Sequence, residues 1–201
     1  MRHTKNDQRI RQQLAVDAAR IMSQEGISDF HIAKLKAAER AGIQQPQYMP
    51  SNIEVELALK QYQAIFRSVE QATRLNTLRT TAITIMRLLK NFSPRLVGPV
   101  LRGTADTHSV ISIHLFSDNG QALDWLLLEH HIPFTISECE YRFNNNELRR
   151  QPRYLVKDDD IDVELTLFPE VGIRQAPKSP LDNRPIQRAS IAEVEKLLRQ
   201  V

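Results

Sequence analysis

Residues 96–116 read LVGPVLRGTADTHSVISIHLF, and this stretch decides the fold. Leu96 and Val97 are apolar and stop at Gly98. Arg102-Gly103-Thr104 follows, and an alternating run opens at Ser109. The pattern predicts strand, tight turn, strand. Successive side chains of a strand point to opposite faces, so Ile111, Ile113 and Leu115 share one face. Val110, Ser112, His114 and Phe116 share the other. The first is a core face; the second mixes polar and apolar residues, as a strand lining a pocket does.

Downstream, a helix is expected from a cap at Asp118 or Asn119. Its Leu123, Leu126 and Leu127 face the sheet, Trp125 sits at its margin, and Pro133 marks its end. A strand over Phe134 to Phe143 leads into a turn at Asn144-Asn145-Asn146, and a second strand runs near Arg153 to Lys157. The acidic turn Asp158-Asp159-Asp160 joins it to Ile161-Asp162-Val163-Glu164-Leu165-Thr166-Leu167-Phe168 as a hairpin. Ile161, Val163, Leu165 and Leu167 pack inward, and Asp162, Glu164 and Thr166 face the other way. Prolines at 169, 177, 180 and 185 predict an irregular segment, and Ser190 with Glu193 forms a capping box for a short terminal helix.

Upstream, apolar residues recur at helical spacing in three segments. These are Asp7 to Gln24, a helix capped by Ser28 or Asp29 and stopped at Gly42, and one running from Ser51 or Asn52 through Phe66 with Glu54 in its capping box. Gln44 to Pro50 is a loop between the last two. A fourth helix spans Val69 to Leu89 and leads into the Leu96 strand after Ser93-Pro94. The expected class is α+β: an N-terminal helical region over residues 1–68, then a mixed β-sheet with flanking helices over residues 69–201.

Gly98, Arg102, Gly103, Thr104, Ala105 and Ser109 resemble the signature of the polymerase-β-like nucleotidyltransferase superfamily. That signature is Gly-Ser after a first strand, then Arg-Gly, then Ser-Asp-x-Asp opening a second strand. Here Pro99 stands for the Ser, Val110 for the first Asp and Ser112 for the second. The resemblance implies a nucleotidyltransferase-like sheet preceded by a helix. It also implies a Mg2+ or Mn2+ site at the two acids and at a third from a later strand. Glu164 is the best candidate for that third ligand and Asp162 the next, the alternative being that both are solvent-facing strand residues. Neither Val nor Ser replaces a carboxylate, so the implied protein is a degenerate member that keeps its cleft for a nucleotide, another phosphate-bearing ligand or a protein partner. An active enzyme would instead move a nucleoside monophosphate from a triphosphate to a hydroxyl. Gly98, Arg102, Gly103, Thr104, Ser109 and Ser112 would then hold the nucleotide, Glu164 the metal, and His114 would assist as phosphate ligand or base. Arg102 alternatively pairs with Asp106 or another acid to hold the turn.

Composition excludes other classes. The single cysteine, Cys139, forms no intrachain disulfide and supplies no thiolate zinc site. The histidines match no zinc spacing, and Ser109 and Ser112 lack a nucleophile elbow. No apolar stretch is long enough to cross a bilayer, and Met1-Arg2-His3-Thr4-Lys5 lacks the apolar core of a signal peptide, so a cytoplasmic protein is expected. A net charge of +3 does not by itself call for nucleic acid. Ala18-Ala19-Arg20 to Gly26, with Ile32 to Ile43, resembles the opening of a TetR-type helix-turn-helix. Gln44-Gln45-Pro46-Gln47-Tyr48 replaces its recognition helix, leaving Lys34, Lys36 and Arg40 as the possible phosphate contacts.

Overall fold

The computed structural model describes residues 5–43, 45–66, 69–105, 109–144, 146–158 and 160–199. Met1 to Thr4, Gln44, Asp106, Asn145 and Asp159, all invoked above, lie outside the described residues. The chain divides into two compact units, one built mainly of residues up to Ala72 and the other mainly of Thr73 onward. Each has its own core.

The first unit contains α1 (Lys5–Glu25), α2 (Phe30–Arg40) and α3 (Asn52–Phe66). Its core is rich in alanine: Ala15, Ala18 and Ala19 of α1 and Ala33 and Ala37 of α2 are buried beside Leu14, Ile21, Val55 and Leu59. Small side chains let the helix backbones approach closely. Asp29 caps α2 by accepting from the Ile32 N–H at 3.0 Å. Ser51 and Glu54 form the capping box of α3, the Ser51 N–H donating to Glu54 Oε2 at 2.7 Å and the Glu54 N–H to Ser51 Oγ at 3.3 Å. The Gln44 to Pro50 loop contains one turn of 3-10 helix, Pro46–Tyr48.

The helix α4 (Val69–Leu88), most of which belongs to the second unit, ends in a 3-10 turn, Lys90–Phe92. The remaining elements are β1 (Arg95–Val97), α5 (Gly98–Arg102), β2 (Ile111–Phe116), α6 (Gly120–Glu129), β3 (Phe134–Arg142), β4 (Leu148–Asp158), β5 (Ile161–Phe168) and α7 (Ile191–Arg199). The strands form one mixed sheet in the order β1-β2-β5-β4-β3. Among the described residues only β2 and β5 pair in parallel; the other pairs are antiparallel. With seven α-helices among the described residues, the chain is α+β.

One sheet face carries the core. Ile111, Ile113 and Leu115 of β2 and Val163, Leu165 and Leu167 of β5 are buried with Leu78, Met86, Leu123 and Leu127. Asp124 of α6 accepts from the Tyr154 hydroxyl at 2.7 Å, which pins that helix to the sheet. The Ser190 and Glu193 capping box forms at 2.7 Å and starts α7. Among the described residues no helix is long and apolar enough to cross a membrane.

Two expectations need correction. Residues 98–102 are one turn of helix rather than a tight turn. Pro99 in the first turn presets a helical φ, and Gly103 at φ +78° closes the helix in the left-handed region. The strand expected near Arg153 to Lys157 begins at Leu148 despite Pro152. Residues below Arg153 pair with β3 but not β5, and a strand with one free side is where proline, which has no N–H, is tolerated.

Candidate functional site

The face opposite the core is best read as rows running across the strands, because residues in register share a face. The central row is Thr135, Leu155, Glu164, Ser112 and Val97, one from each strand. One step toward the N-terminal ends of β2 and β5 lie Lys157 and Asp162, paired in register, with Val110 just before β2. One step the other way lie Ser137, Arg153, Thr166, His114 and Arg95. Register thus brings Ser112 and Glu164 side by side across the one parallel pairing, and places Asp162 and Val110 in the next row.

Gly98 closes on this row from α5. At φ +74° it adopts a conformation costly to other residues, and a Cβ built there would sit 3.5 Å from Ser112 Oγ. Gly103 and Thr104 turn elsewhere. A Cβ on Gly103 would meet Arg79 Nη2 and Leu75 of α4, and Thr104 is 4% exposed with its N–H on the Pro99 carbonyl at 3.0 Å. Arg79, also buried, donates from Nε to the Val100 carbonyl at 3.3 Å and ties α5 to α4. Arg102 and Ser109 are half-buried. The structure therefore joins Gly98, Ser112 and Glu164, and sets Gly103 and Thr104 against the helix.

Glu164 lies 3.5 Å from Arg153 Nη1, each side chain about a third exposed. Asp162 lies 3.4 Å from Lys157, and both are well exposed. The residues here do not fit the implied divalent cation. Val110 offers no donor, Ser112 offers a neutral hydroxyl, and Glu164 already faces a guanidinium. Among the described residues no group of three or more His, Cys, Asp and Glu is placed to hold a metal.

His114 belongs to a buried network. It is 2% exposed, and its Nδ1 accepts from Arg188 Nε at 3.1 Å. Arginine only donates, so the neutral imidazole carries its proton on Nε2, 3.4 Å from the Tyr141 hydroxyl. That hydroxyl reaches Thr166 Oγ1 at 3.3 Å. Arg188 also donates from Nη1 to the Gly172 carbonyl at 2.8 Å, with its guanidinium 4.9 Å from the Phe116 ring centroid and 5.3 Å from that of Phe168. Burial, and the Arg188 charge after it, push the His114 pKa down to about 3, and burial pushes Tyr141 up to about 12. Burial likewise raises the Cys139 thiol.

Arg153, Leu155, Tyr141 and Arg188 were missed in the sequence. Register through the β3–β4–β5 meander would have found the first three, whereas Arg188 sits in a segment with no periodicity. In the helical unit, Lys36 and Arg40 both end on Glu25, at 3.0 and 2.8 Å, and Lys34 donates to Asn52 Oδ1 at 2.8 Å. Comparison of the chain with protein-family models, curated proteins and solved structures finds no match.

Proposed function

We propose that this chain is a polymerase-β-like nucleotidyltransferase fold that has lost its metal site and is kept for binding. Its ligand is a nucleotide or another phosphate-bearing molecule at the Gly98 and Ser112 end of the open face. The observation that carries this reading is the row Val97, Ser112, Glu164, with Gly98 closing on it. Supporting the reading are a first strand that runs into Gly98 and a second strand whose Ser112 lies beside Glu164 of a later strand, with two of the three implied acids gone.

Metal-dependent transfer is disfavoured by those same residues, since the ions would lose most of their ligands. DNA binding through the helical unit is disfavoured by the spending of Lys36 and Arg40 on Glu25.

Thermal melting against the common nucleoside triphosphates, each with and without magnesium or manganese, tests the reading. A ligand of the native state raises the midpoint. The expected result is a rise indifferent to metal. A rise that requires metal and disappears in Glu164→Ala would establish an active transferase instead, and no rise with any nucleotide would remove the nucleotide from the proposal.

A further inference from the structure

The segment after β5 adds a guanidinium to the open face at the end where Gly98 and Ser112 meet. Leu96 of β1 and Ala189 form an antiparallel bridge and exchange N–H···O bonds of 2.8 and 2.9 Å. Both side chains lie in the core. Their chain neighbours therefore point to the other face, and the antiparallel pairing sets Arg188 beside Val97, the residue before Gly98. Arg95 stands two residues earlier on β1, in register with His114 and on the same face. Arg188 contacts that same imidazole through Nε.

Neither guanidinium forms an ion pair among the described residues. Arg95 spends Nη1 on the Ser93 and Pro94 carbonyls, at 3.3 and 2.9 Å. Arg188 spends Nε on a neutral imidazole and Nη1 on the Gly172 carbonyl, and its Nη2 is buried with no partner among the described residues. Glu193 feels the Arg95 charge but holds the Ser190 N–H and hydroxyl, each at 2.7 Å. Glu164, on the neighbouring row, faces Arg153. Burial, opposed by Tyr141 and reinforced by the Arg95 charge, pushes the Arg188 pKa down to about 10. A cation taken out of water is ordinarily paired, and a buried donor ordinarily has an acceptor. Arg188 departs from both rules, and a second guanidinium rather than a carboxylate is its charged neighbour.

We propose that Arg95 and Arg188 form an oxyanion site for a phosphate monoester, seated against Arg95 and the Ser112 hydroxyl, with Arg188 tilting Nη2 onto it. A phosphate monoester offers close to two negative charges and three acceptor oxygens, and the planar guanidinium fork matches that geometry. The tilt gives Nη2 the acceptor it lacks and loosens the Arg188 bond to His114. This rests on the binding reading above and names the side chains that take the phosphate; Arg188 lies outside the stretch that carries the resemblance.

The test is proton–nitrogen NMR of the full chain, read at the arginine Nε, His114 ring and backbone amide signals. Inorganic phosphate, adenosine monophosphate and adenosine are titrated separately, against sodium chloride at matched ionic strength. The expected result is saturable shifts at Arg95, Arg188, Ser112 and the His114 ring with phosphate and with the monophosphate, and none with adenosine. Arg95→Gln should weaken phosphate about tenfold with the Arg188 Nε signal retained, and Arg95→Lys should recover part of the loss. Arg188→Gln should weaken it by a similar factor, and the two Arg95 variants decide the matter even where Arg188→Gln does not fold. Tighter binding of the monophosphate than of phosphate assigns the site to a nucleotide, and equal binding assigns it to the phosphate group alone; both support it. Shifts reproduced by chloride, shifts confined to other residues, or a phosphate affinity unchanged by Arg95→Gln would overturn the proposal. A nucleotide that raises the melting midpoint while Arg95 and Arg188 stay unmoved removes this site and keeps the binding reading. Phosphate held here with no nucleotide effect on melting keeps the site and removes the nucleotide.

Discussion

His114 shows how one side chain changes character with its surroundings. In the sequence it shares a face with Val110 and Ser112 and invites a role as base or phosphate ligand. In the structure it is sealed by Arg188, Tyr141 and Phe168, with Nδ1 committed to a guanidinium. A proton on that nitrogen would break the bond and place a cation beside Arg188. The native pKa of about 3 lies below the ordinary 6.5, so between those values the unfolded chain binds the proton better. Stability therefore rises with pH across that window and is lost as pH falls below 6.5. Chemical denaturation at pH 7 and pH 5 should differ by about 2 kcal/mol, and His114→Gln should flatten that difference. The lowered carboxyls of Glu25, Glu54 and Glu193 add their losses only in more acid solution, near and below their ordinary 4.5, so the upper window isolates the histidine.

Among the elements, α5 is the shortest of the described α-helices and the most consequential for the open face. Gly98 begins it at φ +74° with Ser112 Oγ in front of its absent side chain. The space there is ordinary van der Waals contact, so Gly98→Ala should destabilise through backbone strain, by about 1–2 kcal/mol in a denaturant melt, rather than through a clash. Pro99 within α5 and Gly103 after it are helix punctuation, but one helical turn is too short to show periodicity, so the sequence pattern reads as a tight turn. Capped elements fared better: Asp29, Ser51 with Glu54, and Ser190 with Glu193 each start a helix where their spacing placed one. Alternation revealed β2 and β5 and hence the shared face of Ser112 and Glu164. It failed on the lower half of β4, where Arg149, Arg150 and Pro152 stand on a strand paired on one side only and nothing enforces an apolar rhythm.

At the scale of the whole molecule, strand order was beyond the reach of local pattern. Nothing in residues 161–168 alone says that β5 lies beside β2 and not at an edge, yet the side-by-side placement of Ser112 and Glu164 depends on it. Among the described residues, the sheet unit has a contiguous core of its own, its buried members running from Leu75 to Val194. A fragment beginning at Val69 should therefore fold alone, with dispersed amide resonances and a cooperative melt; a collapsed, undispersed spectrum would refute this. The single parallel contact also sets an order of events. β3, β4 and β5 form a meander of neighbours in the chain, cheap to close, whereas β2 meets β5 only after α6 and that whole meander have been spanned. A half-folded chain possesses the meander but not the Ser112–Glu164 row. A ligand gripping that row would thus act as a late fastener, rewarding only chains that have completed the sheet.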